Sequence, residues 1–263
     1  MKYPLLTISP LSAVFILSVL SVSLLQAQEP PAYRFTFLDG SLSSSGTIRA
    51  DLAEKGIAGS ASSLLVEKDE ALGCFVALLP MTDDGERGSG LAITESEQKF
   101  RLAESGESMT ISCWIKWNGP DRHPDLRQGI ITNQPMEMNV GWAFSILEDG
   151  KLNFCWVDAK GLGSTRDSSE SIRKNEWTNV AVTWANGNEQ KGLHFFINGE
   201  PAGIGLEYTG GGPMTASDLP LFIGAVNLSN FLPLNGAITD LRLYTSELDP
   251  DAIFRIFQDQ RIR

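Results

Sequence analysis

Several acidic side chains in this sequence are candidates for the paired carboxylates of a glycosidase active site. Glu67, Asp69 and Glu70 stand close together, and Glu95 and Glu97 fall on one side of an extended chain. Two carboxylates about 5–5.5 Å apart are what a retaining glycosidase requires. The first group lacks strand alternation around it, and the second lacks aromatic neighbours. We therefore predict a solvated acidic surface and no catalytic residue.

Aromatic and polar side chains offer a second kind of chemistry, the binding of a sugar ring. Trp114 and Lys116 alternate with apolar residues in one strand-like segment, and His194 and Phe196 do so in another. Sugar rings stack on aromatic faces of this kind. If both segments lie in one open sheet, these four side chains line a groove. The alternative is that the fold covers them, which is the more usual position of a tryptophan.

Cysteine and histidine offer little further chemistry. The cysteines Cys74, Cys113 and Cys155 are odd in number, so at least one thiol is unpaired. Cys113 lies on the apolar side of its segment, and we favour buried thiols over a disulfide bridge. The two histidines, His123 and His194, lie far apart and no Cys-x-x-Cys pair is present, so we predict no zinc site.

The elements that must position these residues are strands. Apolar and polar residues alternate between 109 and 117 and between 176 and 184. Asp149-Gly150 and Asn198-Gly199 each separate two such segments, which is a strong signal of a two-residue hairpin. Strands at this regular spacing predict an all-β protein, a two-sheet antiparallel jelly-roll sandwich.

Weaker patterns extend this prediction towards the N-terminus. Alternation predicts a first strand at 33–38 and short strands at 63–67 and 73–79. The polar segments at 118–139 and 205–218 are binding candidates equal to the strands, because recognition residues concentrate in loops at the rim of a sandwich.

The C-terminal segment carries the helical signal of the chain. Asp249 is placed as an N-cap, Pro250 as the first helical residue and Asp251 as an acid in the first turn. The apolar residues that follow share one side of a short helix. We predict that this helix packs on the sandwich.

The first 27 residues have the pattern of a secretory signal peptide. Lys2 precedes an apolar stretch that runs to Leu25, and Ala27 stands at the cleavage position. An uncleaved anchor is the alternative, since Leu25 is larger than the residue usual at that place. We predict an exported protein, extracellular, periplasmic or at the cell surface, with a single domain over 28–263. Beyond this segment we predict no membrane insertion.

Charge narrows the classes of partner. The formal net charge is −11 at pH 7. An acidic surface repels phosphate backbones, so nucleic acid is not a predicted partner, whereas cations are compatible with it.

Five segments in a fixed order carry a family resemblance. They are similar to the strands of laminin-G-like and concanavalin A-like jelly-roll domains, and the similarity runs from about 105 to 257. The segments are SMTISCWIKW (108–117), EWTNVAVTW (176–184), LHFFINGEPAG (193–203), PLFIGA (220–225) and GAITDLRLYTSELDPDAI (236–253). The resemblance implies the same sandwich. The family includes laminarinase-type glycoside hydrolases, but Glu67 and its neighbours match their Glu-x-Asp-x-x-Glu pattern poorly.

The resemblance also implies a calcium ion, which related jelly rolls commonly hold. In that comparison Asp240 takes the acidic position of the last strand, and Asp39 and the Gly90 carbonyl are the further candidate ligands. Calcium accepts six to eight oxygen ligands in flexible geometry. The alternative is that Asp240 forms an ion pair with Arg242.

These observations together predict an exported, non-catalytic recognition module. The expected partner is a polysaccharide or glycan, with calcium as a candidate structural ion. The first alternative is a surface module that binds another protein. The second is a divergent glycoside hydrolase of the laminarinase type.

Overall fold

The structure is a computed structural model, and it describes eleven segments of the chain. These are residues 29–48, 50–56, 65–79, 89–94, 108–120, 127–134, 140–185, 192–215, 217, 219–224 and 233–259. The predicted signal peptide, Glu95, Glu97 and His123 lie outside the described residues.

The described residues form sixteen strands and one helix. In chain order they are β1 (Tyr33–Phe35), β2 (Asp51–Gly56), β3 (Leu65–Asp69), β4 (Cys74–Leu79), β5 (Ser89–Thr94), β6 (Met109–Trp117), β7 (Gln128–Thr132), β8 (Trp142–Ile146), β9 (Lys151–Val157), β10 (Gly163–Ser171), β11 (Trp177–Trp184), β12 (Leu193–Ile197), β13 (Glu200–Pro201), β14 (Glu207–Thr209), β15 (Phe222–Ile223), β16 (Gly236–Tyr244) and α1 (Pro250–Asp259).

The strands pair into two antiparallel sheets. Sheet A has the order β13-β12-β11-β6-β16-β4-β3, and β1 pairs with β16 beside this path. Sheet B has the order β14-β10-β9-β8-β7-β15-β5-β2. The predicted all-β jelly-roll sandwich with a C-terminal helix is therefore confirmed.

The core lies between the two sheets because alternate side chains of each strand point inward. In β6 the inward residues Ile111, Cys113 and Ile115 have no exposed surface. Aromatic rings fill much of the remaining space, and Trp156 of sheet B meets Trp184 of sheet A edge to face, with ring centroids 4.7 Å apart. The period-two pattern thus assigns the inner face of sheet A correctly.

The two predicted hairpin turns differ in the structure. Asn198 and Gly199 both adopt positive φ, at 52° and 82°, as a tight two-residue turn requires. At the other turn Gly150 has φ 83°, whereas Asp149 is not among the residues with positive φ. The hairpin is closed there by a hydrogen bond from the Leu147 backbone N–H to the Lys151 carbonyl. The predicted turn is present, but its loop is longer than two residues.

The first strand is shorter than predicted. It ends at Phe35, because Phe37 adopts a left-handed conformation with φ 55° and a single 3-10 turn follows at Leu38–Gly40. The predicted short strands near 63–67 and 73–79 correspond to β3 and β4.

The C-terminal helix forms where the sequence predicted it. The Asp249 carboxylate accepts a hydrogen bond from the Ala252 backbone N–H at 2.7 Å, which caps the first turn. Ile253 and Ile256 are buried against Phe196 and Tyr244 on the outer face of sheet A. The helix therefore closes part of that face.

All three cysteines are free thiols in the structure, and Cys113 and Cys155 are buried. Burial raises the pKa of both thiols above the ordinary cysteine value. The expectation of buried thiols over a disulfide is confirmed for these two, and Cys74 is half-buried. Among the described residues no helix has the length and apolar character needed to cross a membrane.

Candidate functional site

The predicted stacking surface around Trp114 is covered. Trp114 lies on the outer face of sheet A with only 8% of its surface exposed, and its ring packs on Phe257 of α1 with centroids 5.8 Å apart. Phe196 is 2% exposed and packs under the same helix. The expectation that these two rings form an open sugar platform is wrong, because α1 occupies the space above them.

The other two predicted binding residues do not join them in a groove. Lys116 is half-buried in β6, and His194 is exposed in β12, with β11 between the two strands. His194 instead borders a hollow of about 340 Å³ together with Phe196 and Glu247. The four residues thus share a face of sheet A without forming one site.

The predicted calcium ligand Asp240 is engaged by two arginines. One of its carboxylate oxygens accepts hydrogen bonds from Arg34 Nε at 2.8 Å and Arg242 Nε at 3.1 Å, and the other accepts from Arg242 Nη2 at 2.9 Å. Burial acts to raise the pKa of this carboxyl, but the hydrogen bonds and charges of Arg242 and Arg34 hold the pKa below its ordinary value. The alternative of an ion pair with Arg242 describes the structure.

The remaining predicted metal ligands lie elsewhere. Asp39 is exposed in the 3-10 turn, and Gly90 belongs to β5 in sheet B, whereas Asp240 lies in sheet A. Within the described segments no three His, Cys, Asp or Glu side chains are placed to hold a metal ion. Two guanidinium groups also place positive charge where a cation would bind. These residues therefore do not fit the calcium site that the resemblance implied.

One member of the acidic group near Glu67, Asp69, has a structural role. Asp69 accepts hydrogen bonds from the backbone N–H groups of Ala71 and Leu72, both at 2.9 Å, and from Trp177 Nε1 at 3.1 Å. This carboxylate closes the turn between β3 and β4. Its hydrogen bonds agree with the prediction that the group is not catalytic, without testing it.

An open groove lies on the outer face of sheet B. It is a groove of about 550 Å³ across β9, β10 and β14, within the roughly 300–1,000 Å³ of typical ligand sites. Strand register places its residues in two rows. One row runs through Tyr208, Thr165 and Cys155, and the next runs through Asp167 and Asn153.

Asn153 is the centre of the polar floor. Its Nδ2 donates to Thr165 Oγ1 and to Asp167 Oδ1, both at 2.6 Å. Its Oδ1 accepts from Ser145 Oγ at 3.1 Å and from Arg127 Nη1 at 3.3 Å. The protein therefore uses the whole hydrogen-bonding capacity of this amide. Asn153 thus positions Thr165, Asp167 and Arg127, and these neighbours are the groups that can contact a ligand.

Asp167 and Arg127 are the charged groups of the floor. Burial raises the pKa of the Asp167 carboxyl above its ordinary value, although the Asn153 hydrogen bond and nearby Lys151 oppose this effect. Cys155 lies beside them and its thiol donates to Gln134 Oε1 at 3.7 Å. A desolvated carboxylate with a raised pKa in a concave site is a common feature of functional sites.

One wall of the groove is apolar and open to solvent. Leu162, Leu206 and Tyr208 line it with 47%, 57% and 61% of their surfaces exposed. An exposed aromatic ring above a floor of hydroxyl, amide and charged groups can contact both the apolar and the polar side of one ligand.

Asp158 fixes the loops at the end of this wall. One carboxylate oxygen accepts from the backbone N–H groups of Lys160 and Leu162, and the other accepts from Gly212, all at 2.8 Å. These backbone hydrogen bonds, chiefly that of Gly212, hold the pKa of Asp158 below its ordinary value. The carboxylate is thus a positioning group that ties two loops together.

The groove residues were not chosen as a site from the sequence. The predicted loops at 118–139 and 205–218 do supply Arg127, Gln134 and Tyr208, but β10 was not predicted because GSTRDSSES lacks apolar alternation. A usable signal was Asn153, a polar residue that alternates with the apolar inner residues of β9.

The family comparison agrees with this architecture. A model of the concanavalin A-like lectin/glucanases superfamily matches residues 86–254. The chain belongs to that superfamily. A comparison with curated protein sequences found no match.

Solved structures with the same fold include binding domains of botulinum neurotoxins. The binding domain of Paraclostridial Mosquitocidal Protein 1 aligns with a TM-score of 0.65 and 13% identity, over 88% of this chain and 52% of that one. The structure titled "Cell entry of botulinum neurotoxin type C is dependent upon interaction with two ganglioside molecules" aligns with a TM-score of 0.62 and 19% identity, over 88% and 51%. The botulinum neurotoxin DC binding domain in complex with rat synaptotagmin II gives 0.61 and 19%, over 88% and 52%. This superfamily member spans about half the length of those chains, and at such identities the likeness establishes the fold alone.

Proposed function

We propose that this superfamily member is an exported, non-catalytic module that binds carbohydrate in the groove of sheet B. The observation that carries the proposal is the exposed ring of Tyr208 beside the polar floor of Thr165, Asn153 and Asp167. Export is supported by the pattern of the first 27 residues.

A sugar matches this arrangement because one side of its ring is apolar and its edge carries hydroxyl groups. Tyr208 and Leu206 offer apolar surface for the ring, and the floor offers both donors and acceptors. Hydroxyl groups can donate to Asp167 and accept from Arg127 in the same complex. The toxin binding domains with this fold are consistent with a recognition role. One of these structures concerns the interaction of botulinum neurotoxin type C with two ganglioside molecules.

The floor also supports a role without catalysis. Hydrolysis of a glycosidic bond usually requires two carboxyl groups across the scissile bond. Asp167 is the sole carboxylate among the described residues that line the groove. The Asn153 amide donates to its Oδ1 at 2.6 Å, which holds the carboxylate in place for binding.

Removal of Tyr208 tests the proposal. Tyr208→Ala should weaken binding to the best glycan on an array by up to about tenfold, since contacts of aromatic rings contribute about 0.5–1.5 kcal/mol beyond the area they bury, and about 1.4 kcal/mol corresponds to a tenfold change in affinity. Phe254→Ala is the matched control, because Phe254 is another exposed aromatic residue, on α1 at the outer face of sheet A. Equal losses in the two variants, or no binding to any glycan, would contradict the proposal.

A protein partner is the second candidate. Leu162 and Leu206 add exposed apolar surface beside the edge strand β14, and such patches also serve protein contacts. A domain with the same fold, the binding domain of botulinum neurotoxin DC, forms a complex with a protein, rat synaptotagmin II. This complex is a precedent for a protein partner. Loss of a co-purified surface protein on Leu206→Ala, with glycan binding absent throughout, would favour it.

A further inference from the structure

The groove floor carries one positive and one negative charge, fixed on opposite atoms of a single amide. Arg127 donates to Asn153 Oδ1 at 3.3 Å, and Asp167 accepts from Asn153 Nδ2 at 2.6 Å. The amide group is only a few ångströms across, so the two charges stay close together. Their spacing is set by the protein before any ligand arrives.

Neither charge is neutralised by direct contact with an opposite charge. Arg127 and Asp167 form no ion pair within 4.0 Å in the described part of the chain. The charges around them differ in this respect, since Lys151 pairs with Asp149 at 2.7 Å and Arg166 pairs with Glu207 at 2.5 Å. Arg127 keeps unused N–H donors, and Asp167 keeps its second oxygen as an acceptor.

We propose that this pair makes the groove selective for uncharged glycans over anionic ones, an inference that rests on the proposed carbohydrate site. A ligand carboxylate that paired with Arg127 would lie next to the Asp167 carboxylate. A ligand ammonium group that paired with Asp167 would lie next to Arg127. Hydroxyl groups satisfy both without either repulsion, because each hydroxyl both donates and accepts.

The net charge of the chain acts in the same direction. The formal net charge of −11 repels an approaching anionic polysaccharide. Salt screens this repulsion beyond about 8–10 Å at physiological ionic strength. Asp167 adds the short-range part of the discrimination because it lies inside the groove, where water screens it less.

The experiment compares two oligosaccharides of equal length and linkage, one of neutral hexoses and one of the matching uronic acids. Isothermal titration of the full chain should give at least tenfold tighter binding to the neutral ligand. Asp167→Asn keeps the shape of the side chain and removes its charge, and it should reduce this ratio at least fivefold. Arg127→Gln should weaken neutral binding and leave the uronic acid ligand rejected.

Asp39→Asn is the control, because it changes the net charge equally at an exposed carboxylate outside the groove. It should leave the ratio within about twofold of the wild-type value. Equal or tighter binding of the uronic acid ligand to the wild type would overturn the inference and leave carbohydrate binding standing. An unchanged ratio in Asp167→Asn would also overturn it. Binding of neither ligand class would overturn the carbohydrate site itself.

Discussion

The two outer faces of the sandwich carry similar side chains and have opposite accessibility. Both combine aromatic rings with polar groups, Trp114 and Lys116 on sheet A and Tyr208 and Asn153 on sheet B. On sheet A the helix α1 covers the aromatic rings. On sheet B the corresponding region is a groove with Tyr208 at its edge. The residue types of a strand thus describe a face, while its neighbours in space decide whether a ligand can reach it.

The polar groups on the two faces are satisfied in different ways. Trp114 Nε1 is buried and has no hydrogen-bond partner among the described residues, and Asp240 is occupied by two arginines. In the groove Asn153 is saturated, while Arg127 and Asp167 retain capacity for further hydrogen bonds. On the covered face the side chains contact other parts of the protein. On the open face some side chains retain hydrogen-bonding capacity for a ligand.

The largest expected effect tests the covered face. Trp114→Ala should lower the free energy of unfolding by about 3 kcal/mol, because it leaves a cavity between β6 and α1. Chemical denaturation at pH 7 measures this loss, and glycan affinity should not change. Trp114→Phe is the control and should cost less, since it keeps an aromatic ring and removes the unpaired Nε1. A loss of glycan binding at unchanged stability would reverse the assignment of the two faces.

The ion pair of the covered face should give the next effect. Asp240→Asn should lower the free energy of unfolding by about 2 kcal/mol at pH 7, because Arg34 and Arg242 lose their shared carboxylate. This loss is below the roughly 3–5 kcal/mol of a fully buried pair because the Arg34 side chain is 38% exposed. The folded pKa of Asp240 is lowered, so its contribution is present above the ordinary carboxyl pKa of about 3.9 and disappears as the pH falls through the lower, folded value. The difference between wild type and variant should therefore narrow in acid.

The same variant separates an ion pair from a calcium site. Unfolding of the wild type should be the same in calcium and in chelator, because the Asp240 oxygens already face two guanidinium groups. A higher melting temperature in calcium that Asp240→Asn abolishes would contradict this result.

The centre of the groove should give a smaller change in stability and a clear change in binding. Asn153→Ala should lower the free energy of unfolding by about 1–2 kcal/mol, since Thr165 and Asp167 lose their donor. Glycan affinity should fall at least tenfold, because the positions of Arg127 and Asp167 are no longer fixed by their shared amide. Asn118→Ala, at an exposed asparagine outside the groove, is the control and should change neither quantity. Wild-type glycan affinity in Asn153→Ala would show that Asn153 does not position the binding residues of the groove.

The smallest expected effect has the opposite sign. The folded pKa of Asp167 is raised chiefly by burial, so its ionised form lowers the stability of the fold at neutral pH. Asp167→Asn should therefore give a small gain in the free energy of unfolding at pH 7. The gain should disappear as the pH falls through the folded pKa and below the ordinary carboxyl value. Denaturation curves at pH 7 and pH 3 measure this, and a loss at pH 7 would show that the Asn153 hydrogen bond outweighs burial.

Much of the fold was accessible from local patterns. The alternation in β6 and β11, the Asn198-Gly199 turn and the Asp249 cap each depend on residues close together in the chain, and each is present in the structure. β10 was missed because its polar sequence reflects the groove floor, which local alternation does not describe. The predicted site failed for a related reason. Alternation places Trp114 outward, but only the packing of α1 buries it.

The sequence by itself determined the sandwich, the inner face of sheet A and the family, because a period of two in hydrophobicity and the turn residues act over a few neighbouring positions. The tertiary structure alone decided which outer face is open and which charges meet. Arg127, Asn153 and Asp167 come together through strand pairing, and Asp240 meets Arg34 across 206 residues of chain. Such contacts depend on how distant segments pack, and the spacing of residues along one strand does not encode them.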